Sequence, residues 1–135
     1  MDSTTRTILI ATDADEVLDE VDAALADDAT RVVRVRAGRD VLAAVRQVDP
    51  DLIVLDLQIG NMGGVATALA LRNEESAGRL DPTTILMLLD RTADVFISQQ
   101  GQADGWLVKP LDSLRLRRAA EALLAGGTYT EGLAS

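Results

Sequence analysis

Short apolar runs alternate along the chain with longer segments whose apolar residues recur at helical spacing. Runs of about five apolar residues, bounded by polar or turn residues, are typical of strands buried on both faces of a parallel sheet. The pattern predicts five such strands, at about residues 7–12, 31–35, 52–56, 84–89 and 105–108. The amphipathic segments predict five helices, at about residues 15–26, 39–48, 65–75, 93–100 and 111–125.

Five strand–helix repeats in succession predict an α/β domain with a parallel sheet that helices cover on both faces. The flavodoxin-like (βα)5 doubly wound arrangement, with a five-stranded sheet in the order 2-1-3-4-5, fits a chain of 135 residues. In that order the first and third strands are neighbours at the switch point, where such folds bind ligands. We expect residues 1–125 to form this domain and residues 126–135 to be a flexible tail.

The composition excludes several kinds of chemistry and partner. The chain has no cysteine and no histidine, which rules out disulfides, thiolate nucleophiles and imidazole bases. Its net charge of -9 argues against nucleic acid and anionic membranes as partners. No apolar run approaches the roughly 20 residues that span a bilayer. Because the first residues also lack the apolar core of a signal peptide, we expect a cytoplasmic protein.

Polar residues close the predicted strands at one edge of the sheet. Asp13 follows the first strand, and Asp56 ends the third, which we expect to lie beside it. Two carboxylates in one crevice suit a hard cation such as Mg²⁺, and either could act as a nucleophile. Lys109 ends the fifth strand, where its ammonium would pair with Asp56 or with an anion formed there. Taken singly, each of these residues could equally be a helix cap or a surface residue.

Four stretches of this sequence together resemble the receiver domain of two-component response regulators, over about residues 6–125. They are Ile8–Asp13, Pro50–Leu57, Met62–Gly64 and Gly105–Pro110. The resemblance implies a signalling domain that takes a phosphoryl group from a sensor histidine kinase or a phosphotransfer protein, and not an enzyme with a separate substrate. Such domains pass their signal on through contacts with other proteins.

The resemblance also implies roles for individual residues. Asp56 matches the phosphoacceptor, and Lys109 matches the lysine that contacts the phosphoryl group and precedes a proline in an often cis peptide bond. Mg²⁺ would be held by Asp13, by Asp56 and by the backbone carbonyl of Gln58.

Several positions depart from the family pattern. Thr12 stands where receivers carry the first of two acids, and its hydroxyl would reach Mg²⁺ only through a bound water, so we expect weak binding. Leu89 replaces the serine or threonine whose hydroxyl contacts the phosphoryl group and moves the switch loop. Asp90 replaces a small residue. It would crowd and repel an incoming phosphoryl group, unless it points to solvent or caps the fourth helix. Trp106 takes the place of the mobile aromatic residue, and we hypothesise that it packs with Leu89 in one fixed state.

Two functions therefore stay open. The first is a single-domain response regulator that is phosphorylated on Asp56 and signals through the face formed by helix four, strand five and helix five. The second is an atypical receiver that binds partner proteins independently of phosphorylation. An enzyme is disfavoured because no glycine-rich phosphate loop opens a helix. The chain ends shortly after helix five, so we expect output through another protein or through a homodimer formed by the last two helices.

Overall fold

A single parallel sheet forms the centre of the molecule. The computed structural model describes residues 5–59 and 63–131. Its strands are β1 (Arg6–Ala11), β2 (Thr30–Val35), β3 (Leu52–Asp56), β4 (Ile85–Leu89) and β5 (Gly105–Val108). They are paired in parallel in the order β2-β1-β3-β4-β5. The flavodoxin-like fold predicted from the apolar runs is therefore confirmed.

Helices cover both faces of this sheet. They are α1 (Asp15–Leu25), α2 (Val41–Val48), α3 (Gly64–Ser76), α4 (Val95–Gln100) and α5 (Ser113–Leu124). Ile8 and Ile10 of β1 belong to the core cluster that includes α1 and α5, whereas Leu9 belongs to the cluster that includes α2 and α3. Alternate residues of a strand thus enter opposite cores, which explains why the inner strands β3 and β4 are almost continuously apolar. None of the described helices is long and apolar enough to cross a membrane.

The starts of two helices differ from the sequence prediction. Helices α2 and α4 each begin with a single 3-10 turn, at Gly38–Asp40 and Thr92–Asp94, instead of a continuous α-helix. The turn before α4 is capped by Asp94, whose Oδ2 accepts a hydrogen bond from the backbone N–H of Arg91 at 3.1 Å. Asp94 is buried and takes the capping role that was considered for Asp90. That alternative for Asp90 is therefore wrong.

The chain continues along the outer edge of β5 after α5 ends. Residues Gly105 and Tyr129 form a parallel bridge, and the N–H of Trp106 donates to the carbonyl of Tyr129 at 2.8 Å. Residues 126–135 were expected to form a flexible tail, and that flexibility stays a prediction; in the described part, up to residue 131, Tyr129 and Glu131 contact the edge of β5. The physical reason is that an edge strand presents unpaired N–H and C=O groups, which a following segment can satisfy.

Candidate functional site

Four polar side chains meet at the carboxyl edge of the sheet because of the strand order. Thr12 directly follows β1, Asp56 ends β3, Asp90 directly follows β4 and Lys109 directly follows β5. The register places Asp56 of β3 opposite Leu88 of β4, and β4 in turn pairs with β5. The four side chains therefore start from the ends of adjacent strands. The crevice predicted at the switch point is present, but its second acid is Asp90 and not Asp13.

Asp56 is the centre of this site. Its side chain is only 4% exposed, and its Oδ1 accepts hydrogen bonds from Lys109 Nζ at 2.8 Å and from the backbone N–H of Gln58 at 3.2 Å. Its Oδ2 accepts a hydrogen bond from Thr12 Oγ1 at 2.7 Å. A buried carboxylate needs such partners, since leaving it unpaired would cost several kcal/mol. The predicted pairing of Asp56 with Lys109 is what the structure shows.

Thr12 contacts Asp56 directly. Its side chain is fully buried, and while its hydroxyl donates to Asp56 it also accepts from the backbone N–H of Ala14 at 3.1 Å. A hydroxyl has one proton to donate, and that proton is committed to the carboxylate. The role expected for Thr12, contact with Mg²⁺ through a bound water, stays a prediction; in the structure its hydroxyl donates directly to Asp56.

Lys109 lies between two carboxylates. Its Nζ is 3.0 Å from Asp90 Oδ1 as well as 2.8 Å from Asp56 Oδ1. Partial burial on its own would lower the pKa of Lys109, but the hydrogen bonds and charges of Asp56 and Asp90 outweigh it and hold the pKa above its usual value. The peptide bond from Lys109 to Pro110 is cis, as the resemblance predicted.

Asp90 turns into the crevice. Its Oδ2 is buried and has no hydrogen-bond partner among residues 5–59 and 63–131. The alternative in which Asp90 points to solvent is therefore wrong, and its carboxylate contacts Lys109, the residue for which the resemblance predicts contact with a phosphoryl group.

Asp13 is not brought together with Asp56. Its side chain is 69% exposed, and its one ion contact in the described structure is with Arg36 Nη1 at 4.0 Å. Across the described parts of the chain, no group of three or more acidic side chains is arranged to hold a metal ion. The predicted ligands of Mg²⁺ nevertheless fit it chemically, because carboxylate and carbonyl oxygens are the donors that it prefers. The long contact with Arg36 would not prevent Asp13 from turning inward.

Asp15 lies nearby and is the first residue of α1, whose N-cap, Ala14, makes no side-chain cap. Asp15 Oδ1 pairs with Arg34 Nη1 at 2.9 Å, and hydrogen bonding to Arg34 holds the pKa of Asp15 below its usual value.

The two switch positions lie in one apolar cluster. Leu89 is fully buried and Trp106 is 5% exposed, and both belong to the core on the α2 and α3 side of the sheet. The indole N–H of Trp106 donates to the backbone carbonyl of Glu131 at 2.7 Å. This arrangement agrees with the hypothesis that they pack together, whereas the claim of one fixed state stays a prediction.

A glycine sets the approach of α3 to the site. A Cβ atom at Gly64 would lie 2.9 Å from the carbonyl oxygen of Asp56 and 3.0 Å from Leu57 Cα, which no other residue type could avoid without a shift of the backbone. Met62, which belongs to one of the stretches that carry the family resemblance, lies outside the described residues.

One cluster beside the site was not expected from the sequence. Arg115 of α5 donates to Glu131 Oε2 at 2.7 Å and also contacts Glu131 Oε1. Its other N–H groups donate to the carbonyls of Val108 at 2.8 Å and of Pro110 at 2.7 Å. Sequence reasoning did not find this pair, because Glu131 lies in a segment whose apolar residues show no periodicity that would indicate a contact.

Comparison with known proteins agrees with this geometry. The family model of the response regulator receiver domain matches residues 8–121. The chain belongs to this family.

Among curated relatives, the nitrate/nitrite response regulator protein NarL of Escherichia coli K12 is 30% identical over 102 residues, which are 76% of this chain and 46% of that protein. The DNA-binding response regulator MtrA of Mycobacterium tuberculosis is 30% identical over 132 residues, covering 92% of this chain and 53% of that protein. The chain thus spans about half the length of these relatives.

Solved structures show the same fold. The signal receiver domain of a signal transduction histidine kinase from Syntrophus aciditrophicus superposes with a TM-score of 0.79 at 25% identity, covering 97% of this chain and 98% of that one. The chemotaxis response regulator CheY4 of Vibrio cholerae gives a TM-score of 0.77 at 25% identity, with 89% of this chain and 99% of that chain covered.

Proposed function

We propose that this receiver domain accepts a phosphoryl group on Asp56 from a phosphohistidine of a sensor histidine kinase or a phosphotransfer protein. The observation that carries the proposal is the 2.8 Å contact between Lys109 Nζ and Asp56 Oδ1 at the carboxyl edge of the sheet. A buried carboxylate beside a fixed ammonium provides both a nucleophile and a charge to stabilise the oxygens of the phosphoryl group.

In the proposed reaction, a carboxylate oxygen of Asp56 attacks the phosphorus of the phosphohistidine. An O–P bond forms, the N–P bond breaks, and the partner's imidazole leaves with the bonding electrons. The ammonium of Lys109, which donates to the Asp56 carboxylate, would then donate to the phosphoryl oxygens. Mg²⁺ bound by Asp13, Asp56 and the Gln58 carbonyl would offset the repulsion between carboxylate and phosphoryl oxygens.

Two side chains are expected to slow this reaction. Asp90 also pairs with the Lys109 ammonium, and it adds a negative charge close to the path of the phosphoryl group. Thr12 supplies no charge for Mg²⁺ and keeps Asp56 Oδ2 in a direct hydrogen bond. We therefore propose that Mg²⁺ binds weakly and that phosphorylation is slower than in receivers with two acids after the first strand.

The proposed output surface is the face formed by α4, β5 and α5. The large apolar side chains that are exposed in the described structure are Phe96 and Ile97 of α4 and Leu114 of α5, and all of them lie on these two helices. Exposed apolar side chains on both helices of this face support a protein–protein contact, with a downstream protein or with a second copy of the chain.

A second candidate function is a binding module that works without phosphorylation. Two observations favour it. The Asp90 carboxylate already neutralises Lys109, and the fully buried Leu89 has no hydroxyl with which to contact a phosphoryl group. In this case the arrangement of the site would be permanent, and the α4–β5–α5 face would bind its partner constitutively.

Intact-mass measurement after incubation with acetyl phosphate and Mg²⁺ separates the two. We expect one phosphoryl adduct on the wild type and none on Asp56→Asn. Asp49→Asn is a matched control, because Asp49 is exposed and has a positive φ of 47°, which asparagine tolerates. A wild type that takes up no adduct and binds no beryllofluoride would refute phosphorylation and favour the constitutive module.

A further inference from the structure

The outer edge of β5 is occupied by residues 127–131, here called the C-terminal segment. The backbone N–H of Trp106 donates to the carbonyl of Tyr129 at 2.8 Å, and its indole N–H donates to the carbonyl of Glu131 at 2.7 Å. Two residues further along β5, the N–H of Val108 donates to Glu131 Oε1 at 3.0 Å. The segment therefore satisfies two backbone donors of the edge strand, one with a backbone carbonyl, as an added strand does, and one with a side-chain carboxylate.

The sequence of β5 is adapted to this contact. A Cβ atom at Gly105 would lie 2.5 Å from the carbonyl oxygen of Tyr129 and 3.2 Å from its backbone nitrogen. Any other residue at Gly105 would push the segment away from the strand. Gly105, the first residue of β5, thus allows the backbone of Tyr129 to approach the strand closely.

A charged pair fixes the position of the segment along the strand. The carboxylate of Glu131 binds the guanidinium of Arg115 through both oxygens, and hydrogen bonding to Arg115 holds the pKa of Glu131 below its usual value. Arg115 is itself positioned by the carbonyls of Val108 and Pro110. The strand edge and this guanidinium together form a receptor for an extended backbone that carries one carboxylate.

The C-terminal segment is held by few apolar contacts. Tyr129 is partly buried and packs against the core cluster of α1 and α5, whereas residues 127, 128 and 130 are exposed. Backbone pairing and one ion pair are interactions that another extended peptide with an acidic side chain could supply equally well. A partner peptide could therefore replace the C-terminal segment, which would be harder if the segment buried a large apolar surface.

From these contacts we infer that the β5 edge is a docking site for an extended acidic peptide of a partner protein, and that residues 127–131 are its intramolecular occupant. The partner peptide must displace them to bind. The segment borders the α4–β5–α5 face and holds the indole of Trp106, so its release would also change the surroundings of that side chain. The inference does not depend on phosphorylation of Asp56.

The first test is hydrogen exchange in Glu131→Gln, which keeps the size of the side chain but removes its charge. We expect the Trp106 and Val108 amides to exchange at least about tenfold faster, while amides of β4 keep their protection. Acrylamide should also quench Trp106, the single tryptophan, more strongly. Glu20→Gln, an exposed acid on α1, is the control. Unchanged exchange at both amides, or an equal loss throughout the sheet, would overturn the inference.

The second test uses a labelled synthetic peptide with the sequence of residues 126–131. Measured by fluorescence anisotropy, it should bind Glu131→Gln more tightly than wild type, because the intramolecular segment of the wild type competes with it. The same peptide with glutamine in place of its glutamate should bind neither protein. No binding to Glu131→Gln at millimolar peptide, or equal binding to both proteins, would overturn the inference. Neither test uses a phosphoryl donor, so its outcome is independent of that of the proposed function.

Discussion

The hydrogen bond from Thr12 to Asp56 gives the sharpest test of how the site is held together. Thr12→Val replaces the hydroxyl by a methyl group of similar size, and valine suits the end of a strand. The change removes the 2.7 Å hydrogen bond to a carboxylate that is almost completely buried. A hydrogen bond to a charged acceptor contributes about 1.5–3 kcal/mol, and the lost acceptor for the Ala14 N–H adds up to roughly 1 kcal/mol. We therefore expect a loss of about 2–4 kcal/mol in the free energy of unfolding.

Urea unfolding followed by circular dichroism measures this loss, and a domain of this size should also melt about 6–12 °C lower. Thr84→Val is the matched control, because it makes the same change at a partly buried threonine that precedes β4, at the edge of the sheet opposite to Asp56. A free energy of unfolding within about 0.5 kcal/mol of the control would refute the role assigned to Thr12. It would mean that Asp56 does not depend on this donor.

Three further predictions follow from the site and from the β5 edge. Asp90→Ala removes one of the two carboxylates that contact Lys109. Because that ion pair is partly exposed, we assign it about 1 kcal/mol, so Asp56 should be phosphorylated about fivefold faster. An unchanged rate of phosphorylation by acetyl phosphate would contradict this prediction. Gly105→Ala should displace residues 127–131 and shift Trp106 emission to longer wavelength, whereas an unshifted spectrum would argue against the close backbone approach. The pKa of Glu131 is lowered from 4.5, so its contribution to stability is present above about pH 4.5 and is lost as the pH falls through the lower pKa of the folded state. Quenching of Trp106 should rise over that range in wild type, and a Glu131→Gln variant that responds identically would exclude Glu131 as the cause.

The sheet and the pairing of Asp56 with Lys109 could be predicted because both follow from chain order. Continuous apolar runs require parallel strands covered on both faces, and parallel strands bring their carboxyl ends to one edge. The backbone positions that end such runs therefore lie at one edge of the sheet, whatever the rotamers of their side chains. The family resemblance then supplied the roles of the two residues.

Side-chain direction could not be predicted in the same way. Asp90 turns inward to Lys109 and Asp13 turns outward to Arg36, although each follows the end of a strand. The choice depends on which cation lies within reach once the strands have assembled. Similarly, the contact of Glu131 with Arg115 joins a segment without apolar periodicity to a strand edge, and neither side of that contact has a local sequence signal.

Site-resolved detection of the acyl phosphate tests the central claim most directly. Borohydride converts a phosphorylated aspartate to homoserine, which peptide mass spectrometry locates in the sequence. After treatment with acetyl phosphate and Mg²⁺, we predict homoserine at Asp56 alone, with Asp13 and Asp90 unmodified. Homoserine at Asp13 or Asp90, or none at any position while beryllofluoride also fails to bind, would contradict the assignment of Asp56 as the phosphoacceptor.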